Sequence, residues 1–190
     1  MSPVAVNIRG CSGSGKTTLV RAFMGDLSSW TPVFLPGKKQ PVHYSRGNVV
    51  VLGPYMPGVA CGGADNLPDN DYIYERVREH MTEGYSVLYE GVRVSCEVLR
   101  AIKLKNEGFR YVAVCLSTSY EDCLAGVQAR RDAKGVKRKE GKKTWQAYLA
   151  DERRRARRNY SRLKDAGCEA RWLDRGMALD MVKSLMEEKS

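Results

Sequence analysis

The sequence predicts an α/β fold of three layers, a mostly parallel five-stranded sheet with helices on both faces and a basic lid. Three observations predict it. Short apolar runs alternate with helical stretches along the whole chain. Gly10 to Thr17 reads G-C-S-G-S-G-K-T, a glycine-rich phosphate-binding loop set between a strand and a helix. Ser86 to Gly91 reads S-V-L-Y-E-G, a strand that closes on a carboxylate.

The first unit, residues 4–25, is strand, loop and helix, with Val4-Ala5-Val6-Asn7-Ile8 apolar enough for burial and Thr18 to Met24 helical. Thr31-Pro32 interrupts the chain, and Val33-Phe34-Leu35 is a short strand. Residues 43–52 form a hairpin, or a strand entered through a tight turn at Arg46-Gly47-Asn48. A loop rich in Gly, Pro and Asp runs from Gly53 to Asn70, where Asp69 or Asn70 caps a helix over 70–83. A strand over 86–89, a helix over 96–106 and a strand over 110–116 follow. The chain ends with a helix over 119–131, a helix over 145–166, a strand over 168–173 and a helix over 177–188. Functional residues of such a sheet gather beyond the carboxyl ends of its strands.

A chain of 190 residues is read as one domain, 1–190, with enough core to fold alone. The longest apolar runs are too short to span a bilayer, and no basic segment followed by an apolar one opens the chain, so a cytoplasmic protein is expected. Six scattered cysteines without a C-x-x-C pair read as free thiols of a reducing compartment. The net charge of +10 is concentrated: Arg130 to Lys164 holds fifteen Lys/Arg against four Asp/Glu. Residues 130–143 lack hydrophobic periodicity and read as a basic lid loop, and residues 144–166 as a basic helix. A charge run is usually a solvated face, but one that begins over a triphosphate site points to a polyanionic second substrate, a nucleic acid.

In the phosphate loop, the backbone N–H groups of Ser12, Gly13, Ser14, Gly15, Lys16, Thr17 and Thr18 converge on phosphate oxygens. Lys16 reaches the β- and γ-phosphates of ATP, and the Thr17 hydroxyl ligates Mg²⁺. Glu90 is placed to hold the metal or to take the proton of an attacking hydroxyl. Asp65, behind two glycines in the acceptor-facing loop, is the alternative base. Arg93, Arg130 and Arg131 are candidates to stabilise charge on the transferred group, and Tyr55 is a candidate to stack on a base.

With these residues in hand, the chain resembles the nucleoside/nucleotide kinase group of P-loop proteins, whose fold is the three-layer P-loop NTPase sandwich. Leu52-Gly53-Pro54-Tyr55, Cys61-Gly62-Gly63-Ala64-Asp65 and Leu88-Tyr89-Glu90-Gly91 together resemble the bacteriophage 5-hydroxymethyluracil DNA kinases. That resemblance implies Mg·ATP-dependent phosphorylation of a base hydroxymethyl group in DNA, during DNA hypermodification in the host cytoplasm. It makes Lys16 and Thr17 the ATP·Mg residues and puts Glu90 and Asp65 near the acceptor. No D-R-[YFH] triplet follows a strand, which counts against a free monophosphate as acceptor. From the residues, two alternatives stay open: a kinase of free nucleosides or nucleotides, and a nucleic-acid-stimulated ATPase without a phosphoryl acceptor. Oligomeric state is not set by the sequence.

Overall fold

The hydrophobic strand Val4–Arg9 (β1) lies inside the sheet, between Ser86–Glu90 (β5) and Arg110–Leu116 (β6), and pairs in parallel with both. The computed structural model describes residues 2–56, 62–133, 135 and 144–187. Beyond β5 come Val49–Leu52 (β4), His43–Arg46 (β3) and Thr31–Val33 (β2); beyond β6 comes Glu169–Leu173 (β7).

The expected five-stranded sheet is therefore corrected to a mixed sheet of seven strands, ordered β2-β3-β4-β5-β1-β6-β7. Its five strands β4 to β7 and β1 are mutually parallel, and β2 and β3 add an antiparallel edge. The tight turn at Gly47 and Asn48 forces β3 to run against β4. The edge then accepts Pro32 inside β2, because an edge strand does not need every N–H. Phe34, expected inside that strand, lies beyond it and is 49% exposed.

The helices are Lys16–Met24 (α1), Asn70–Thr82 (α2), Val92–Cys96 (α3), Leu99–Asn106 (α4), Tyr120–Ala133 (α5), Trp145–Asp165 (α6) and Arg175–Glu187 (α7). Side chains alternate across β1. Val4, Val6 and Ile8 join a core with Leu19, Val20 and Phe23 of α1 and Ala178 and Val182 of α7. Ala5 faces the other core, built with Tyr74 and Val77 of α2, Leu104 of α4 and Leu163 of α6. Three layers result, as expected.

Local chemistry sets the helix ends. Asp69 caps α2 by accepting the Tyr72 N–H at 2.8 Å, and Thr144 caps α6 by accepting the Ala147 N–H at 3.2 Å. Asp174 accepts the Met177 N–H at 2.9 Å, so α7 starts two residues before its predicted start. The helix expected over 96–106 is two helices, α3 and α4, broken at extended Glu97. The break leaves backbone carbonyls unpaired inside the protein, and two side chains satisfy them. Arg9 donates to the Ser95 and Glu97 carbonyls, and Asn159 donates to those of Ser95 and Cys96.

Of the expected lid loop, Arg130 to Ala133 continue α5, while residues 134 and 136–143 lie outside the described residues, as does Cys61. The five described cysteines are free thiols. No helix among the described residues is long and apolar enough to cross a membrane.

Candidate active site

β1 delivers the chain into the phosphate loop at Gly10, and α1 leaves it at Lys16. Gly13 holds φ +76°, and its Cα lies so close to the Cys123 carbonyl of α5 that any Cβ there would overlap it. The loop is thereby pressed onto α5. Thr118 Oγ1 steadies it further by donating to the Ser14 carbonyl at 2.8 Å. Lys16 is buried, and its Nζ donates to the carbonyls of Gly10 and Cys11, 2.9 Å from each.

Parallel pairing of β1 with β5 sets Ile8 beside Glu90, which brings the carboxylate to the phosphate loop. Thr17 Oγ1 donates to Glu90 Oε1 at 2.7 Å. Glu90 is only 2% exposed, and burial pushes its carboxyl up to about 6. Asp65 adds to that rise, while Lys16, the Thr17 hydroxyl and Arg130 oppose it. A carboxylate so placed is ionised at neutral pH yet basic enough to accept a proton.

The glycine pair ahead of Asp65 has a geometric cause. Gly63 holds φ +85°, and a Cβ on it would overlap Glu90 Oε1. Only glycine lets the loop lie against that carboxylate. Asp65, in the 3₁₀ turn Ala64–Asn66, accepts the N–H groups of Val92 and Arg93 at 2.7 and 3.0 Å. Arg93 in turn donates to the carbonyls of Ala64, Asp65, Leu67 and Pro68. Its guanidinium thus ties the loop that carries Asp65 to α3.

A cavity of about 360 Å³ joins these parts. Ser12, Gly13, Ser14, Gly15, Lys16, Thr17 and Thr18 form one side, Glu90 and Asp65 another, and Arg21 and Arg130 also line it. Arg93 and Arg131 are not among its walls. The two arginines at the end of α5 part company: Arg130 faces the cavity, whereas the Arg131 guanidinium lies 5.8 Å from the Trp145 ring centre. Tyr55 is buried against Tyr44, so it packs in the core and presents no ring for a base.

The residues present fit a nucleoside triphosphate with its metal. Ser14 Oγ is buried without a hydrogen-bond partner among the described residues, a polar atom of the loop left for a ligand. The Thr17 hydroxyl and Glu90 carboxylate are hard oxygen donors, the type Mg²⁺ takes beside phosphate oxygens.

No family model matches the sequence. The chain is 40% identical, over 96% of its own length and 96% of the other's, to a protein of Pseudomonas phage PaMx11 named 5-hmdU DNA kinase. This chain belongs to the 5-hmdU DNA kinase family. A second member, from Pseudomonas phage M6, is 31% identical over 70% of this chain and 74% of that one. A 5-hmdU DNA kinase of Bacillus phage SP10 is 25% identical over 94% of this chain, which spans 28% of that longer protein. Among solved structures, a chain from the PezAT toxin-antitoxin system of Streptococcus pneumoniae shares the fold, with a TM-score of 0.51 and 16% identity. That likeness covers 100% of this chain and 80% of the other.

Two buried residues of the kinase's site escaped the sequence reading. Arg9 donates to Asn7 Oδ1 at 2.9 Å and to the Tyr111 hydroxyl at 3.0 Å as well as to the carbonyls at the α3–α4 break. It therefore anchors the segment after Glu90 to the strand that carries the phosphate loop. Glu152 of α6 reaches the phosphate loop itself, where its carboxylate accepts the Ser12 N–H at 2.7 Å and the Ser12 hydroxyl at 3.3 Å. The α6 stripe Leu149, Glu152, Ala156, Asn159 and Leu163, at spacings of three and four, is the signal in the sequence that could find Glu152.

Proposed function

We propose that this kinase transfers the γ-phosphoryl group of Mg·ATP to the hydroxymethyl group of 5-hydroxymethyluracil within DNA, in the host cytoplasm. The observation that carries the reading is Glu90, a buried strand-end carboxylate 2.7 Å from the phosphate-loop hydroxyl of Thr17, in one cavity with Asp65 and Arg130. Family membership supports the choice of acceptor, since the relatives are named for 5-hmdU in DNA.

Ser12 to Thr18 hold the triphosphate through backbone N–H groups, and the Lys16 ammonium turns from its loop carbonyls to the β- and γ-phosphates. Thr17, with Glu90 directly or through water, would hold Mg²⁺, which would neutralise charge on the phosphate oxygens. Glu90 takes the proton of the acceptor hydroxyl as its oxygen bonds to the γ-phosphorus and the bond to the β-phosphate oxygen breaks, leaving ADP. Arg130 stabilises the charge spread over the transferring group. Asp65 and Arg93 keep the acceptor loop and the start of α3 in register with Glu90, and Arg131 steadies the entry to α6 through Trp145.

A base inside a duplex must leave the stack before its substituent can enter a cavity. The arginines of α6 supply phosphate contacts that hold the strand meanwhile. γ-Labelled ATP offered with hydroxymethyluracil-containing DNA, unmodified DNA and free nucleosides tests the reading. Label is expected in the modified DNA only; label in the free nucleosides alone would overturn it.

A further inference from the structure

The helix that presents arginines to solvent also holds the phosphate loop. On the inner side of α6, Glu152 is 5% exposed and accepts both the N–H and the hydroxyl of Ser12. The next residue, Arg153, donates to the carbonyl of Thr118, whose hydroxyl binds the Ser14 carbonyl. On the outer side Arg154, Arg157, Arg158 and Arg162 are exposed. Among the described residues Arg157, Arg158 and Arg162 make no ion pair. One rigid element thus joins a free cationic face to a buried anion on the nucleotide loop.

A carboxylate on a phosphate-loop N–H is chemically the same kind of acceptor as a phosphate oxygen, and the two compete for that donor. They also repel each other in a site with little water. We propose that Glu152 is a positioning residue that couples nucleic acid on the outer face of α6 to ATP on the phosphate loop. With α6 seated, its carboxylate occupies Ser12 and disfavours the triphosphate. A polyanion engaged by the outer arginines draws α6 outward, Glu152 leaves Ser12, and the loop opens to ATP. The inference rests on the reading of nucleic acid as substrate, and it makes the kinase bind ATP well only when a strand is in place.

The test is binding of a non-hydrolysable ATP analogue with Mg²⁺ to the full chain, with and without saturating unmodified DNA, by titration calorimetry. In the wild type, DNA is expected to tighten the analogue about tenfold, and by linkage the analogue tightens DNA by the same factor. Glu152→Gln keeps an acceptor for Ser12 but removes the charge. It should bind the analogue without DNA about as tightly as the wild type does with DNA, and DNA should then add less than about twofold. Glu152→Asp, with the carboxylate drawn back, should fall between the two. A wild type whose analogue affinity ignores DNA overturns the proposal even if no variant folds, as does a Glu152→Gln protein that keeps the full coupling. Unmodified DNA offers no hydroxymethyl acceptor, so coupling seen with it stands whatever the acceptor is. Phosphorylated modified DNA without coupling removes this inference and leaves the proposed function.

Discussion

Replacing Glu90 by Gln should make the protein more stable at neutral pH while removing most of its activity. Burial raises the Glu90 carboxyl from its ordinary 4.5 to about 6, so the folded state binds a proton there more tightly than the unfolded chain does. The stability this proton contributes is fully present below pH 4.5 and is lost as pH rises through about 6. The difference, at about 1.4 kcal/mol for each tenfold, amounts to about 2 kcal/mol of strain carried by the ionised site at pH 7.5. Gln has the same shape, keeps an oxygen for the Thr17 hydroxyl and cannot ionise, so it relieves that strain. Urea unfolding of both proteins at pH 7.5 and at pH 4.5 measures it: Glu90→Gln should gain about 2 kcal/mol at the higher pH and nothing at the lower. Phosphoryl transfer should meanwhile fall about 10²- to 10⁴-fold, the usual worth of a general base. A Glu90→Gln protein no more stable than wild type at pH 7.5, or equally stabilised at both pH values, would refute the burial argument. Full turnover in the variant would refute the assignment of the base.

Three further outcomes are expected. Gly63→Ala forces a side chain onto Glu90 Oε1 at a backbone angle of +85°, and should cost about 1–3 kcal/mol in thermal unfolding and more in kcat than in KM for ATP. Arg9→Met leaves the Glu97 carbonyl without its donor and the Ser95 carbonyl with Asn159 alone, and should lower stability by about 1–3 kcal/mol in denaturant titration. His43 packs edge-on to His80, with ring centres 4.8 Å apart; burial first, then His80 and Arg76, hold it down to about 4. Its stabilising effect is present above pH 6.5 and is lost as pH falls through about 4. For a half-buried ring this amounts to about 2 kcal/mol after allowing for solvent screening. His43→Gln should flatten that acid-side loss in unfolding measured from pH 7 to pH 4.

The parts of the site legible in the sequence are those whose chemistry is local. Gly10 to Thr17 must curl between a strand and a helix wherever such a loop occurs, and Glu90 could be placed because a strand end in a parallel sheet points to one rim. Arg93 marks where that reasoning stops. Its position three residues after Glu90 suggested a charge-stabilising role, but its guanidinium lies on four loop carbonyls and not in the cavity wall. A long side chain reaches about a turn in any direction, so its aim depends on what packs around it. The choice between Arg130 and Arg131 is of the same kind, made by the pitch of α5 and by the Trp145 ring. The antiparallel edge is half legible as the hairpin over 43–52 and the short strand expected over 33–35; that strand lies instead at Thr31–Val33, where it pairs with β3.

By itself, the sequence determined that a triphosphate loop, a strand-end carboxylate and a basic segment occur on one alternating α/β chain, since these depend on residue type and spacing over a few positions. The tertiary structure decided which charges meet. Glu152 lies 140 residues from Ser12, and Arg9 lies 86 from Ser95, yet each pair is in hydrogen-bond contact. Such contacts are set by the crossing of α6 over the phosphate loop and by the register of parallel strands, which no local pattern encodes.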